Sequence, residues 1–445
     1  MNSAYEYVYD VVIVGAGTAG AAAAIAAADH GAKVLVVEQF GCAGGSGTVG
    51  LVTPLMSTHI KGNPQCSYVG AEINRRLAKE NAGDGKECFF DPMMLSLVLE
   101  EMLSERGVAM LYHTMVTGVN VVNGHIESIH VCNISGNGIV RARSKYIDCT
   151  GDATVCDFAG LATLHGDEET HKNQPCSLRY LIDGIDTDAF WKYLTAMRGM
   201  PDAERPENYS DAVTLSSGPH TARCLDGVFE EAVKNGDLMP EDALYWQFFT
   251  VPGRKYTIAF NCPEFFDIDD IANARNQSYV QVEGKKRILR HLRFYRSYLP
   301  GFENAYISQI SGMVGIRESR RAITEYVITT EDAYGQAKFE DSICQTNYPV
   351  DIHGKTLNNV AFERDANNPR PYYEIPYRSL IVKGVDNLLV AGRCLGAEFV
   401  AQSSIRVIPT CRAMGEATGI GAALNISDGK AIREEMIRKG ADFVR

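Results

Sequence analysis

The run Val11-Val12-Ile13-Val14 passes without a break into Gly15-Ala16-Gly17-Thr18-Ala19-Gly20, and this junction constrains the chain more than any other feature. Four β-branched or aliphatic residues in a row suit a strand buried on both faces. Glycines at the first, third and sixth positions then call for a turn tighter than side chains allow. Ala19 to His30 is dense in alanine, which favours a helix lying close to a sheet; Gly31 ends it, and Lys33 to Val37 forms a second strand closed by Glu38. Strand, glycine turn, helix, strand and acid in this order predict a βαβ unit that binds a dinucleotide. Gly15 makes the turn, Gly17 lets the backbone reach a pyrophosphate, and Gly20 lets the helix pack on the strand. The helix N-terminus offers unpaired N–H groups to the diphosphate, and Glu38 accepts from ribose hydroxyls, with Ala19 and Gln39 beside these contacts.

The same unit serves NAD and FAD, so the choice between them must come from elsewhere in the chain. Five glycines fall between Gly41 and Gly50, which marks a loop whose backbone approaches something closely. Within it Gly44, Gly45, Ser46 and Thr48 are placed to wrap an inner phosphate and ribityl chain. Helical spacing from Met93 to Arg106 is followed by strand-like segments at Ala109 to His113 and Val116 to Val122, a turn at Asn123-Gly124, and more strands to Asp148. From about Gly166 to Gly354 the texture is more aromatic and charged, with interrupted patterns at Ala189 to Met197, Asp270 to Tyr298 and Phe302 to Ile310. This predicts a second domain. Near Ile375 the chain returns to a buried-strand pattern, at Asn387 to Ala391, with a helix from about Pro409 to Asn425.

A length of 445 residues suggests two or three domains. A net charge of −12 makes nucleic acid and anionic membrane poor partners. The N-terminus carries no basic segment followed by an apolar one, and no apolar run reaches the roughly 18 to 20 residues a membrane span needs; the expected location is the cytoplasm. The twelve cysteines contain no Cys-x-x-Cys pair, so no metal site is expected and the thiols read as small core residues.

Later segments carry a resemblance. The turn at Gly15, the glycine-rich loop, Asp148-Cys149-Thr150-Gly151-Asp152, Gly315-Ile316-Arg317-Glu318-Ser319-Arg320-Arg321, Asp351-Ile352-His353, Ile375-Pro376-Tyr377-Arg378-Ser379, Ala391-Gly392-Arg393-Cys394 and Ser404 to Thr410 together span nearly the whole chain. In them the sequence resembles bacterial FAD-dependent oxidoreductases with the fold of glutathione reductase and the fumarate-reductase flavoproteins. The resemblance implies an α/β fold: a Rossmann-like FAD-binding domain, with a parallel sheet, helices and a β-meander, formed by 1–165 and 355–445, and an inserted α+β substrate or cap domain at 166–354. It implies FAD lying extended, with the backbone near Val116 at the adenine, Thr150, Gly151 and Asp152 near the adenosine part, and Gly392 and Arg393 near the ribityl-diphosphate. Fumarate-reductase relatives commonly carry an acid where Arg393 stands. Ser403, Ser404 and Ile405 fall at the flavin pyrimidine edge, where the last helix stabilises negative charge on a reduced flavin; a helix N-cap is the other reading of the two serines.

Hydride transfer to or from flavin N5 needs a held substrate and often a proton donor or acceptor. Three residues are candidates: His59, after the glycine-rich loop; Arg317; and Arg406. Arg317, Arg320, Arg321 and Glu318 read equally as an ion-pair network bracing two domains. His353 reads as a loop anchor with Asp351, Tyr372 and Tyr373 as packing residues, and Cys42 as redox-inert. The expected function is FAD-dependent oxidation of a C–H bond or reduction of a C=C bond in a small polar substrate. A flavoprotein subunit relaying electrons to a carrier protein, an NAD-dependent dehydrogenase and a flavin-bearing sensor or scaffold remain rivals. Homo-oligomerisation is left open.

Overall fold

The computed structural model describes residues 5–56, 60, 62, 64–83, 89–213, 224–353 and 372–444, with no side chains described at 211–213. Its first body is built on one sheet. Strands β1 (Tyr5–Val14), β2 (Val34–Val37), β3 (Ala109–Leu111), β4 (Met115–Val122), β5 (His125–Asn133) and β6 (Gly136–Asp148) lie in the order β3-β2-β1-β6-β5-β4. The first four in this order run parallel, and β4, β5 and the first part of β6 form an antiparallel meander. β6 therefore serves two structures in succession. Its last residues also pair with a return strand, Leu388–Val390, from the far end of the chain.

Each element follows from its residues. Val11 to Val14 are at most 3% exposed, as a strand covered on both faces requires. The alanine-rich helix Thr18–Asp29 buries every residue from Ala19 to Ala27. It can do so because a second helix, Ile408–Leu424, lies directly against its backbone. A Cβ added at Gly415 would stand 2.0 Å from the Ala19 carbonyl oxygen, and one at Gly419 would stand 2.3 Å from that of Ala23. The helix Pro92–Glu105 starts on Asp91, whose carboxylate accepts from Met93 N and Met94 N, with proline in the first turn.

A second body centres on an antiparallel sheet of five strands, in the spatial order Ser210–Val213, Trp246–Val251, Arg254–Phe260, Tyr180–Asp183 and Tyr306–Ile310. Its core is aromatic: Tyr180, Phe190, Trp246, Phe248, Phe260 and Tyr295 pack with the helices Thr187–Met197 and Ala274–Tyr298. Ile328, Ala333, Ile343, Cys344, Val350 and Ile352 belong instead to the core of the first body. Among the described residues no helix is long and apolar enough to cross a membrane.

Candidate active site

The glycine turn is packed against backbone. Gly15 has φ +91°, and a Cβ there would meet the Cys149 carbonyl oxygen at 2.7 Å. A Cβ on Gly20 would meet the Gly15 oxygen at 1.8 Å, whereas one on Gly17 would meet nothing within 4 Å. Gly17 thus faces open space, and as N-cap it places no side chain over the first N–H groups of the Thr18–Asp29 helix. The glycine-rich loop lies on this turn: Gly44 N donates to Ala16 O at 2.8 Å, and a Cβ on Gly45 would come within 2.8 Å of Gly17 Cα. Thr48 turns inward, its hydroxyl donating to Ala43 O at 2.7 Å. The carboxylate of Glu38 accepts from Ala16 N at 2.6 Å and from Phe40 N at 2.8 Å, and burial raises its pKa above the ordinary value.

A cavity of about 750 Å³ opens on this turn. Its wall contains Gly15, Gly17, Ala19, Glu38, Gln39, Gly45, Ser46, Val116, Thr150, Gly151, Asp152, Gly392 and Arg393. Gly20, Gly44 and Thr48 stand behind the wall and shape it. The Arg393 side chain is a brace: Nε donates to Gly151 O at 2.7 Å, Nη1 to Ile316 O at 2.7 Å, and Nη2 meets Asp152 at 2.5 Å. Ser403, Ser404 and Ile405 are fully buried within the short helix Phe399–Ile405 and do not line the cavity. The Ser403 hydroxyl donates to Val400 O at 2.7 Å, and that of Ser404 is engaged by Tyr373 and by the Tyr348 carbonyl. Neither serine caps a helix, since the next one starts at Ile408 on Val407. Arg406, Ile408 and Cys411 reach the wall in their stead. His59 lies outside the described residues.

The other end of the cavity is polar and belongs mostly to the second body. Glu264, from the short strand Glu264–Phe265, is 2% exposed. Its Oε1 lies 2.8 Å from Arg317 Nη1 and 2.9 Å from His353 Nδ1. These are ion-pair distances without hydrogen-bond alignment, for neither carboxylate oxygen has an aligned donor among the described residues. His353 Nε2 stands 3.3 Å from Asp351 Oδ1, and Arg406 Nη2 stands 3.4 Å from Asp351 Oδ2. Burial and Arg317 press the His353 pKa down, but Glu264 and Asp351 outweigh them and hold it above the ordinary imidazole value. Burial favours protonated carboxyls at Glu264 and Asp351. The neighbouring cations, Arg317 and His353 for Glu264, His353 and Arg406 for Asp351, reverse this and hold both below their ordinary values. The surroundings thus push both carboxyls toward the charged form and the imidazole toward its protonated form.

The two readings of the Gly315–Arg321 segment divide between its arginines. Arg317 faces the cavity and also donates to Pro175 O at 2.6 Å. Arg321, 1% exposed, pairs with Glu318 at 2.5 Å and Glu168 at 3.1 Å, and Arg320 with Asp157 at 3.2 Å. Tyr372 and Tyr373 are buried off the wall. Sequence reasoning missed Arg179, Tyr245, Gln247, Asn261 and Glu264, all on the polar wall. The signal available was a charge inside an apolar run, as in Leu178-Arg179-Tyr180-Leu181 and Pro263-Glu264-Phe265-Phe266.

An extended cavity that starts at an uncapped helix N-terminus fits a dinucleotide: Gly17 leaves room where a Cβ would stand, and Glu38 is fixed at the wall. Comparisons with known proteins agree. A digeranylgeranylglycerophospholipid reductase of Methanoculleus marisnigri is 26% identical over 194 residues, 41% of this chain and 47% of that protein. An NADH:fumarate oxidoreductase of Klebsiella pneumoniae is 30% identical over 208 residues, 42% of this chain and 22% of that protein. The matches thus span less than half the length of these relatives. A solved geranylgeranyl bacteriochlorophyll reductase-like protein of Thermoplasma acidophilum superposes with a TM-score of 0.46 at 13% identity, over 98% of this chain and 85% of that one. The family described as FAD dependent oxidoreductase matches residues 10–439, and the chain belongs to it.

Proposed function

We propose that the chain moves a hydride between the flavin and a small polar organic substrate, oxidising a C–H bond or reducing an activated C=C bond. One observation carries this reading: a single cavity joins the glycine turn to the cluster of charged side chains at its polar end. FAD, when bound, supplies the two-electron acceptor or donor. In this reading Gly15, Gly17, Ala19 and the helix N-terminus hold the diphosphate, Glu38 and Gln39 the ribose, and the backbone at Val116 the adenine. Gly45, Ser46, Thr150, Gly151, Asp152 and Gly392 line the remainder, while Gly20, Gly44 and Thr48 set the turn and loop behind it.

Residues of both bodies at the polar end then handle the substrate. Arg317 is held through its Nη1 by Pro175 O and Glu264, so it offers a preoriented charge to a substrate oxygen. Arg406, which contacts Gln174 and Asp351, closes the same end. His353 has carboxylates at both ring nitrogens, which favours its protonated form and makes it a brace between Glu264 and Asp351. We assign 1–165 with 355–445 to the cofactor body, joined there by the 328–352 segment that shares its core, and the rest of 166–354 to substrate selection.

The test is anaerobic and has two arms: oxidised holoenzyme is mixed with a panel of small organic donors, and photoreduced holoenzyme with a panel of small organic acceptors and with an electron-carrier protein. Bleaching by a donor or reoxidation by a small acceptor supports the proposal. Reoxidation by the carrier alone, with no donor bleaching the flavin, refutes it in favour of a relay subunit.

A further inference from the structure

We propose that Arg179 anchors a carboxylate of the substrate, and that Asn261 receives a hydrogen bond from a hydroxyl or amino group on the same molecule; this rests on the substrate-handling reading above. Arg179 directly precedes the strand Tyr180–Asp183, and its backbone is pinned where its carbonyl accepts from Ser311 N at 2.9 Å. Its side chain lines the cavity, yet the residue is only 8% exposed. Nη1 is enclosed and has no hydrogen-bond partner among the described residues.

The neighbouring charges show what is missing. Three guanidiniums face this end of the cavity, Arg179, Arg317 and Arg406, with the His353 imidazole among them. Two carboxylates answer them, and both are taken: Glu264 by Arg317 and His353, Asp351 by His353 and Arg406. Arg179 has no counter-ion within ion-pair distance among the described residues. Burial lowers its pKa to about 10, with Arg317 adding to the effect, so it remains charged at neutral pH. A buried guanidinium without a partner is costly, and an anion entering from the cavity would relieve it. A planar carboxylate matches the guanidinium fork with two parallel hydrogen bonds. Glu264 and Asp351 close by weigh against a more highly charged anion such as phosphate.

Asn261 supplies the second recognition element. It is 4% exposed, and its Nδ2 is committed at 3.0 Å each to Tyr245 Oη and Gln247 Oε1, which fixes the amide orientation. Its Oδ1 is then a buried acceptor with no donor among the described residues, on the same wall as Arg179. One cationic donor and one neutral acceptor together describe a small hydroxy or amino acid.

The experiment titrates the FAD-loaded protein with lactate, malate, alanine and proline, with the matched neutral amides lactamide and alaninamide, and with inorganic phosphate, reading heat of binding and the flavin difference spectrum. At least one acid should bind, its amide at least tenfold more weakly. Arg179→Gln should weaken that acid by roughly ten- to a hundredfold, in line with a hydrogen-bonded charge, and Arg179→Lys should weaken it less. Arg179→Lys also serves as the control for folding, checked by its flavin content. The proposal falls if no acid binds, if amide or phosphate binds as tightly as the acid, or if Arg179→Gln leaves acid affinity unchanged. It also falls if that variant shifts only the ligand-free flavin spectrum, for the guanidinium would then serve the cofactor. An acid that binds with this Arg179 dependence but never changes the flavin redox state refutes hydride transfer and leaves the anion site standing.

Discussion

Gly415→Ala is the sharpest test of how the cofactor body is assembled. The added methyl would sit 2.0 Å from the Ala19 carbonyl oxygen, 2.8 Å from its carbon and 3.0 Å from its Cα. All three atoms are backbone, so no side chain can swing away. Restoring an ordinary contact near 3.4 Å requires the two helices to separate by about 1.4 Å, the difference between the two distances. Overpacking of this kind costs roughly 1–3 kcal/mol, and each kcal/mol lowers Tm by roughly 2–4 °C in a domain of moderate size. The separation also moves Ala19, which lines the cavity, away from Ile408 and Cys411 on the opposite helix. Two readings should therefore change together: the Tm of the flavin-free protein should fall, and FAD affinity, followed by quenching of flavin fluorescence, should weaken. A variant with wild-type Tm and wild-type FAD affinity would refute the backbone-on-backbone packing. A variant with lowered Tm but unchanged affinity would show that the helix pair does not set the cavity wall.

Gly15→Ala combines a left-handed φ of +91° with a Cβ 2.7 Å from the Cys149 oxygen, and should yield protein that purifies without flavin colour. Glu264→Gln removes the charge shared by Arg317 and His353; breaking a buried pair in this way costs roughly 3–5 kcal/mol, and histidine NMR titration should show the His353 pKa dropping from its raised position. The pH profile follows from the same shifts. Stabilisation from His353 is complete below the ordinary imidazole value and lost as pH rises through the raised folded one, while that from Asp351 is complete above the ordinary carboxylate value and lost as pH falls through the lowered folded one. Glu416, fully buried and accepting from the Ser67 hydroxyl at 2.6 Å and Val69 N at 3.0 Å, is raised to about 8 chiefly by burial. Glu416→Gln should be nearly neutral at acidic pH and should reduce the loss of stability that wild type shows as pH climbs from the ordinary carboxylate range through about 8.

What could be read in advance was whatever the backbone imposes locally. The helix expected from Met93 to Arg106 spans Pro92–Glu105, and that expected from Pro409 to Asn425 spans Ile408–Leu424, because caps and glycines lie within a few residues of the ends they set. The turn at Gly15 was legible for the same reason. Contacts between distant segments were not. Nothing in the return strand names β6 as its neighbour, and nothing near Gly44 says that its loop rests on Gly17. In the second body, Trp246–Val251 and Arg254–Phe260 went unread because their aromatic residues are buried by strands far away in sequence. Arg179 offered only the signal of a charge in an apolar run; what sets it apart, a buried Nη1 without a hydrogen-bond partner among the described residues, is revealed only by its three-dimensional neighbours. The inward turn of the serines at 403 and 404 could not be read either, because the short helix that carries them off the cavity wall is fixed by its neighbours in space.

The helix against which Ala19 to Ala27 pack is separated from them by some 380 residues of chain. At synthesis rates of roughly 5–20 residues per second, an emerging polypeptide holds that alanine surface uncovered for tens of seconds, along with the unpaired flank of β6 that the return strand later occupies. The nascent chain cannot close this helix pair until the segments between the two helices have been translated. Cofactor loading is thereby a late event, and fragments lacking the distal helix should be candidates for chaperone retention and degradation even when their own first strands are intact.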